Sequence, residues 1–222
     1  MCKLPQRGKV KTRIAATLGD DSAVEMYRCA LADTLALASS INDVIHVLSY
    51  APPTDEGQRY FKRAGASFAL IPQPGATLSE RISGTLDLLL KNYSPVVLIG
   101  SDSPDLPPEL ITRAFEVLHG SADVVLGPAT DGGYYLIGLR AMHPILFERI
   151  AWSTAIVAQQ TQERAGEAEL QMVGLPCWHD LDTVADLSAL VAPGAPLTRA
   201  FVATLKAKEA NENESGGCVE GW

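Results

Sequence analysis

The sequence predicts an α/β fold in which a mostly parallel sheet is covered by helices on both faces. Short apolar strands alternate with amphipathic helices along the chain, an order typical of parallel strands joined by crossover helices. The segment 95–100 (PVVLIG) is a continuous apolar run, as expected of a strand buried on both faces. No linker rich in Pro, Gly and Ser divides the chain, so we expect one domain over residues 1–208 and a disordered polar tail over 209–222.

The individual elements are predicted from local patterns. Aliphatic and aromatic runs predict strands at 43–49, 67–71, 95–100, 122–126, 134–139 and 170–174. The pairs Ser22–Glu25 and Thr77–Glu80 are capping boxes, each of which predicts a helix start. Helical spacing, prolines and polar caps predict further helices over 107–120, around 144–150 and 154–165, from 183, and over 198–208.

The composition excludes several classes of protein. A net charge of −8 argues against a protein built to bind nucleic acid. The longest apolar runs are too short to span a bilayer. The basic, polar N-terminus does not have the pattern of a signal peptide. The cysteines and histidines are scattered without the spacing of a zinc or redox site. We therefore expect a cytoplasmic protein whose partners are small molecules.

The N-terminal loop carries the first group of candidate residues. Five of the 18 basic residues fall within the first 13 positions, in the pattern Lys3-x-Pro5-x-x-Gly8-x-x-Lys11-Thr12-Arg13. A glycine lets backbone amides approach a phosphate, and lysine and arginine supply positive charge. The pattern is not a Walker loop. A solvated basic terminus is the alternative interpretation, and charge alone does not decide between the two.

Acidic residues follow two of the predicted strands, where ligands bind in open α/β sheets. Asp102 comes directly after strand 95–100, and a carboxylate in this position can hold Mg²⁺ against a diphosphate. Asp105 is either a second functional carboxylate or the N-terminal cap of the next helix. Asp182, which follows strand 170–174, can bring a second carboxylate to the same metal.

The segment 131–135 (DGGYY) lies between two predicted strands. Asp-Gly is a strong turn signal, so a hairpin turn is one interpretation. The other is a substrate loop in which the glycines leave room and Asp131 binds a hydroxyl or an amine. Both interpretations stay open from the residues alone.

Together, these clusters resemble a known bacterial family. Five motifs of the family occur here in order. Residues 3–14 match K-x-P-x-x-G-x-x-K-T-R-[LI], residues 99–107 match [IM]-G-[ST]-D-x-P-x-[LY]-P, and residues 127–138 match G-P-A-x-D-G-G-Y-Y-L-I-G. Residues 152–154 match W-[SG]-T, and residues 180–187 match D-[VL]-D-T-x-x-D-L. The chain resembles the DUF2064 family, also called the glycosyltransferase-like or radical-SAM/selenodomain-associated transferase 1 family. That family is similar to the nucleotide-diphospho-sugar transferase superfamily, so the resemblance implies a GT-A-like fold.

The resemblance also implies roles for particular residues. The implied nucleotide- and phosphate-binding residues are Lys3, Gly8, Lys11, Thr12, Arg13, Gln73, Glu80 and Arg81. The implied ligands of Mg²⁺ or Mn²⁺ are Asp102 and Asp182. The residues implied to face the acceptor or the sugar are Asp131, Gly132, Gly133 and Tyr134. Asp105 and Trp152 are further candidates for contact with substrate, and Asp131 is the candidate catalytic base.

The resulting expectation is a metal-dependent transferase that takes a nucleoside-diphosphate-linked donor and an unknown small-molecule acceptor. Glycosyl transfer follows the family resemblance, nucleotidyl transfer is the alternative, and a non-catalytic nucleotide-binding protein is a further one. Family members carry an apolar strand before the N-terminal loop, whereas only Met1-Cys2 stands there in this sequence. We therefore expect about ten further residues upstream, because a gap at the centre of the sheet would leave backbone groups unpaired.

Overall fold

The computed structural model of the protein describes residues 1–191 and 193–215. Within these residues, seven strands form two sheets. The first sheet consists of β1 (Cys2–Lys3), β2 (Val47–Ala51) and β3 (Ala69–Pro72). The second has the order β4-β6-β5-β7, with β4 at Val96–Ile99, β5 at Val124–Pro128, β6 at Tyr134–Leu139 and β7 at Met172–Gly174.

The strand pairings are parallel except around β6. β1 pairs with β2, β2 with β3, and β5 with β7 in parallel, while β6 runs antiparallel to both β4 and β5. The antiparallel pairings arise because β5 and β6 form a hairpin through residues 129–133, a connection too short for a crossover. The prediction of a mostly parallel α/β sheet is confirmed, with this one hairpin inserted.

The two sheets meet at the start of the chain. The Met1 ammonium donates a hydrogen bond to the Ile99 carbonyl oxygen of β4 at 2.6 Å, while Cys2 is paired with Tyr50 of β2. Burial lowers the pKa of this ammonium. A cleft of about 430 Å³ lies beside Met1, between the edges of β2 and β4. The predicted upstream extension of the first strand stays a prediction.

Helices connect these strands. They are α1 (Thr12–Ser39), α2 (Asp55–Ala64), α3 (Leu78–Leu90), α4 (Pro108–His119), α5 (Val157–Glu167) and α6 (Pro196–Ser215), with 3₁₀ turns at Pro144–Phe147 and Ala185–Ser188. The capping box of Thr77 and Glu80 is present at the start of α3. Pro107 and Gly120 bound α4 as predicted.

Three helical predictions need correction or extension. α1 begins at Thr12 and is kinked at Gly19, whose φ of 79° and ψ of 159° are not helical. Two helical segments join at this kink, and the second begins shortly before the predicted start near Ser22. A short helix, α2, was not predicted; it is capped by Thr54, whose side chain accepts a hydrogen bond from Gly57 N. The last helix continues past 208 to Ser215. Residues 216–222 of the predicted tail lie outside the described residues.

The core lies on both faces of the mixed sheet. Val125 and Leu136 point into a cluster formed with α4, whereas Val124 and Ile137 point into one formed with α3 and α5. This alternation follows from the two-residue period of a strand. Helices therefore cover both faces, as predicted.

A helix that crosses a bilayer must be both long and apolar. None of the helices within residues 1–191 and 193–215 meets both conditions. The expected cytoplasmic location stays a prediction.

Candidate active site

The N-terminal loop leads from β1 to α1 and ends in an unusual backbone conformation. Gly8 has φ 65°, which suits a residue without a side chain. Lys11 stands immediately before α1 with φ 45° and ψ 46°, in the left-handed region that non-glycine residues rarely adopt. Its side chain is nevertheless almost fully buried, with 3% of its area exposed.

The buried ammonium of Lys11 is the centre of the site. Lys11 Nζ donates hydrogen bonds to Asp102 Oδ1, to the Leu181 carbonyl oxygen at 2.6 Å, and more weakly to Asp182 Oδ1 at 3.4 Å. Asp102 follows β4, and residues 181–182 follow β7. Three oxygens from two distant segments therefore converge on one cation.

Electrostatics favour the charged form of this lysine. Burial by itself lowers the pKa of Lys11, but the charge of Asp102 and the hydrogen bond to it outweigh burial, and the net pKa is raised. The charges of Asp182 and Asp180 act in the same direction. The ammonium is thus held as a cation by its acidic neighbours.

A pocket of about 540 Å³ adjoins this cluster. Its polar lining contains three carboxylates and one guanidinium, from Asp131, Asp180, Asp182 and Arg13. The apolar part of its wall is contributed by Leu78, Ile82, Tyr134, Trp152, Ala155 and Val157, and the rest by Gly133, Ser153 and Thr154. Arg13 Nη1 lies 3.6 Å from Asp182 Oδ2 and is 71% exposed, so its charge remains accessible to a ligand.

Asp180 is a site residue that sequence reasoning did not select. It lines the pocket and accepts a hydrogen bond from Ser103 Oγ. Burial raises the pKa of Asp180 to about 6, helped by the charges of Asp102 and Asp131 and opposed by the Ser103 hydrogen bond. The available signal was its spacing from Asp182, because residues i and i+2 of an extended segment share one side. Leu181 between them is fully buried.

The hairpin turn between β5 and β6 forms another part of the pocket wall. Asp131 Oδ1 accepts a hydrogen bond from Gly133 N at 2.8 Å, and Gly132 has φ 88°. A Cβ at Gly132 would come within 2.0 Å of the Ala155 carbonyl oxygen, so only glycine fits. The segment is therefore both a hairpin turn and part of the pocket wall, and the two interpretations made from the sequence do not exclude each other.

Two aromatic residues support this side of the pocket. The rings of Tyr134 and Trp152 meet edge to face, with centroids 6.4 Å apart and an interplanar angle of 74°. Burial raises the pKa of Tyr134, so its hydroxyl stays protonated. Trp152 thus lies between the core and the pocket, where an aromatic ring can contact a ligand.

Comparison with known families identifies the family of this chain. The family model described as "Uncharacterized protein conserved in bacteria (DUF2064)" matches residues 34–154, more than half of the sequence. This chain belongs to the DUF2064 family. No curated protein matches it.

Solved structures extend this comparison. The DUF2064 chain is 36% identical to a protein from Desulfovibrio desulfuricans G20, provisionally assigned as a nucleotide-diphospho-sugar transferase, with a TM-score of 0.83 and coverage of 94% of this chain and 95% of the other. A cytidylyltransferase from Leptospira borgpetersenii serovar Hardjo-bovis (strain JB197) is 10% identical, with a TM-score of 0.50 and coverage of 94% and 92%. The second likeness concerns the fold alone.

The structure brings some of the predicted site residues of this DUF2064 member together. Those that line the pocket or the adjoining cation cluster are Lys11, Arg13, Asp102, Asp131, Gly133, Tyr134, Trp152 and Asp182. Gly132 shapes the pocket through its backbone. Lys3 is exposed at the end of β1, Gly8 on the N-terminal loop and Thr12 at the start of α1. The roles assigned to all these residues stay predictions.

Asp105 lies outside this group. Its side chain is fully buried and accepts hydrogen bonds from Trp178 Nε1 at 3.3 Å and Val191 N at 2.8 Å, while His179 Nε2 lies 3.0 Å from Oδ2. These contacts bind it to the chain segment that carries Asp180 and Asp182. Both carboxylate oxygens of Asp105 are thus engaged within the protein, and its predicted contact with substrate stays a prediction.

Residues predicted to bind the nucleotide around α3 are engaged in local structure. The Gln73 side-chain amide donates to the carbonyl oxygens of Cys2 and Ser49, both at 2.9 Å. Glu80 Oε2 accepts hydrogen bonds from the backbone of residues 76 and 77, which lower the pKa of Glu80. Arg81 is half-buried beside them and is absent from the residues that line the pocket. Gln73 therefore links β1 and β2, whereas Glu80 caps the start of α3.

Proposed function

We propose that this protein is a metal-dependent transferase that transfers the glycosyl group of a nucleoside-diphosphate-linked donor. The observation that carries the proposal is the convergence of Asp102, Asp182 and the Leu181 carbonyl oxygen on a single cation, Lys11, beside a pocket large enough for a small molecule. This point follows the ends of β4 and β7, where open α/β sheets bind ligands.

The donor set suits Mg²⁺ or Mn²⁺. Both are hard cations that prefer carboxylate and carbonyl oxygens, and the three oxygens around Lys11 are of these kinds. No group of three acidic, histidine or cysteine side chains within the described part of the chain could hold a metal ion. Two carboxylates suffice for Mg²⁺, which takes its remaining ligands from water and phosphate. When bound, the metal supplies charge that neutralises the diphosphate.

Two cationic side chains of the protein also neutralise the charge of the diphosphate. Arg13 is exposed at the pocket and can hold a phosphate with two parallel hydrogen bonds. Lys11, two residues earlier in the chain, is a second cation of the same loop. Together they stabilise negative charge on the leaving diphosphate.

The charge of the pocket favours glycosyl over nucleotidyl transfer. An acceptor with its own phosphate would enter a space lined by Asp131, Asp180 and Asp182 and only one arginine. Like charges at such a site cost several kcal/mol. Carboxylates instead accept hydrogen bonds from hydroxyl groups, and an apolar ring face can lie against Trp152. A sugar or another uncharged hydroxylated compound meets these conditions.

Asp131 is the proposed base. Its Oδ1 is oriented by the hydrogen bond from Gly133 N, and the side chain is exposed at the pocket. A base must lie within hydrogen-bond reach of the proton that it removes. A hydroxyl of an acceptor in the pocket fulfils this requirement.

Thermal denaturation with a panel of nucleotides and nucleotide sugars, with and without Mg²⁺ or Mn²⁺, tests the proposal. A ligand at a hundred times its dissociation constant stabilises by about 2.7 kcal/mol, which raises the midpoint by about 5–10 °C. The shift should require metal, disappear in Asp102→Asn, and persist in Asp87→Asn, a half-buried aspartate on α3 that pairs with Lys91.

The products decide the type of transfer. Release of a nucleoside diphosphate indicates glycosyl transfer, whereas release of pyrophosphate from a nucleoside triphosphate indicates nucleotidyl transfer and contradicts the proposal. A metal-independent shift, or one that Asp102→Asn retains, contradicts the metal site. Binding without turnover would instead identify a non-catalytic nucleotide-binding protein.

A further inference from the structure

We propose that Lys11 and the divalent metal compete for the same oxygens, so that the free protein holds Lys11 in the metal position and releases it when the metal binds. The inference rests on the proposed function, because it concerns the same two carboxylates. It adds a state of the site that the catalytic proposal does not require. Lys11 becomes an internal cation that controls when the metal can bind.

The contacts of Lys11 leave no room for a second cation. Its Nζ lies against Asp102 Oδ1 and 2.6 Å from the Leu181 carbonyl oxygen. Mg²⁺ binds oxygen at about 2.0–2.1 Å, so a metal that used these two oxygens would overlap the ammonium. Mutual repulsion of the two charges adds to the steric conflict.

The balance of charge favours the ammonium at this point. Asp102, Asp180 and Asp182 lie around Lys11 and all favour its charged form. Arg13 also approaches Asp182, but it is 71% exposed and 3.6 Å away. Without Lys11, the carboxylate of Asp102 would lack the cation that lies against it.

The position of Lys11 in the chain lets the ammonium leave without a change of fold. The residue ends the N-terminal loop, two positions before Arg13, which reaches the pocket. A lysine side chain has a flexible four-carbon stem. Rotation about that stem can therefore carry the charge away from Asp102 and towards phosphates held by Arg13, while the metal takes the vacated oxygens.

Binding of Mn²⁺ alone, measured by electron paramagnetic resonance, tests the competition directly. Lys11→Met removes the charge but keeps an apolar stem, and it should tighten Mn²⁺ binding in the absence of nucleotide by about tenfold or more, a coupling of ordinary size between two sites. Lys9→Met is the matched control, because Lys9 is exposed in the same loop, and its Mn²⁺ affinity should equal that of the unmodified protein.

Lysine acetylation of the unmodified protein gives a second measurement that does not depend on a variant's folding. Without metal, Lys11 should react much more slowly than Lys9, because its side chain is 3% exposed. Saturating Mn²⁺ should raise the Lys11 rate towards that of Lys9. A Lys11 rate that does not change at saturating Mn²⁺ overturns the competition.

A double variant separates failure of this inference from failure of the proposed function. If Mn²⁺ binds Lys11→Met and Lys11→Met/Asp102→Asn equally well, the metal does not use Asp102 and the proposed metal site is wrong. If binding requires Asp102 but is equally tight with and without Lys11, only the competition is wrong. Tighter binding in Lys11→Met that Asp102→Asn abolishes supports both.

Discussion

Replacement of Asp105 by asparagine should destabilise the protein and weaken its site together. The carboxylate is fully buried, and its two oxygens face Trp178 Nε1, Val191 N and the His179 ring. Asparagine has the same shape but only one acceptor oxygen, since the other atom becomes an N–H donor. At least one of the three partners must then face a donor.

The expected loss in the free energy of unfolding follows from these contacts. A buried donor left unpaired costs about 1–3 kcal/mol, and hydrogen bonds to a charged group are worth about 1.5–3 kcal/mol each. A total loss of about 3–4 kcal/mol is therefore expected, which lowers the melting midpoint by about 6–16 °C for a chain of this length. The segment after residue 178 should loosen, and with it the placement of Asp180 and Asp182.

Calorimetry and the ligand-induced thermal shift measure the two effects. Asp105→Asn should lower the midpoint and reduce the shift produced by metal and nucleotide. Asp87→Asn removes the same charge from a half-buried position on α3, where the aspartate pairs with Lys91, and should change neither. A variant of Asp105 that melts like the unmodified protein but no longer responds to ligand would refute this reasoning and favour the direct substrate contact expected from the sequence.

The remaining predictions concern the pocket. Because burial raises the pKa of Asp180 to about 6, its ionised form destabilises the fold, and this penalty grows as pH rises from about 4 to 6 and reaches about 3 kcal/mol above that. Asp180→Asn should therefore stabilise the protein at pH 7.5 and not below pH 4 in parallel urea titrations. An equal increase in unfolding free energy at both pH values would contradict the raised pKa of Asp180. Gly132→Ala should cost about 2–4 kcal/mol and distort the pocket, because the added Cβ meets the Ala155 carbonyl oxygen at 2.0 Å and the backbone has positive φ. Gly166→Ala in α5 meets nothing within 4 Å and should be neutral or slightly stabilising by the same measurement.

Local patterns were enough to predict much of the secondary structure. The capping box of Thr77 and Glu80 marks the start of α3, and the proline and glycine around α4 mark both of its ends, because such interactions involve residues only a few positions apart. The prediction failed where local information was weak. Ser22 and Glu25 match a capping box, but the second segment of α1 already begins after the kink at Gly19, and the segment from Thr12 to Gly19 was not predicted.

The sequence by itself determined the α/β class, the family resemblance and the placement of acidic and basic residues at strand ends, because each depends on patterns along the chain. Only the tertiary structure decided which of these residues meet. Lys11 pairs with Asp102, 91 residues away, and Asp105 is paired with Trp178 and His179 instead of facing the pocket. Such contacts depend on the order in which strands assemble into sheets and on the burial that results, and no short-range pattern carries that information.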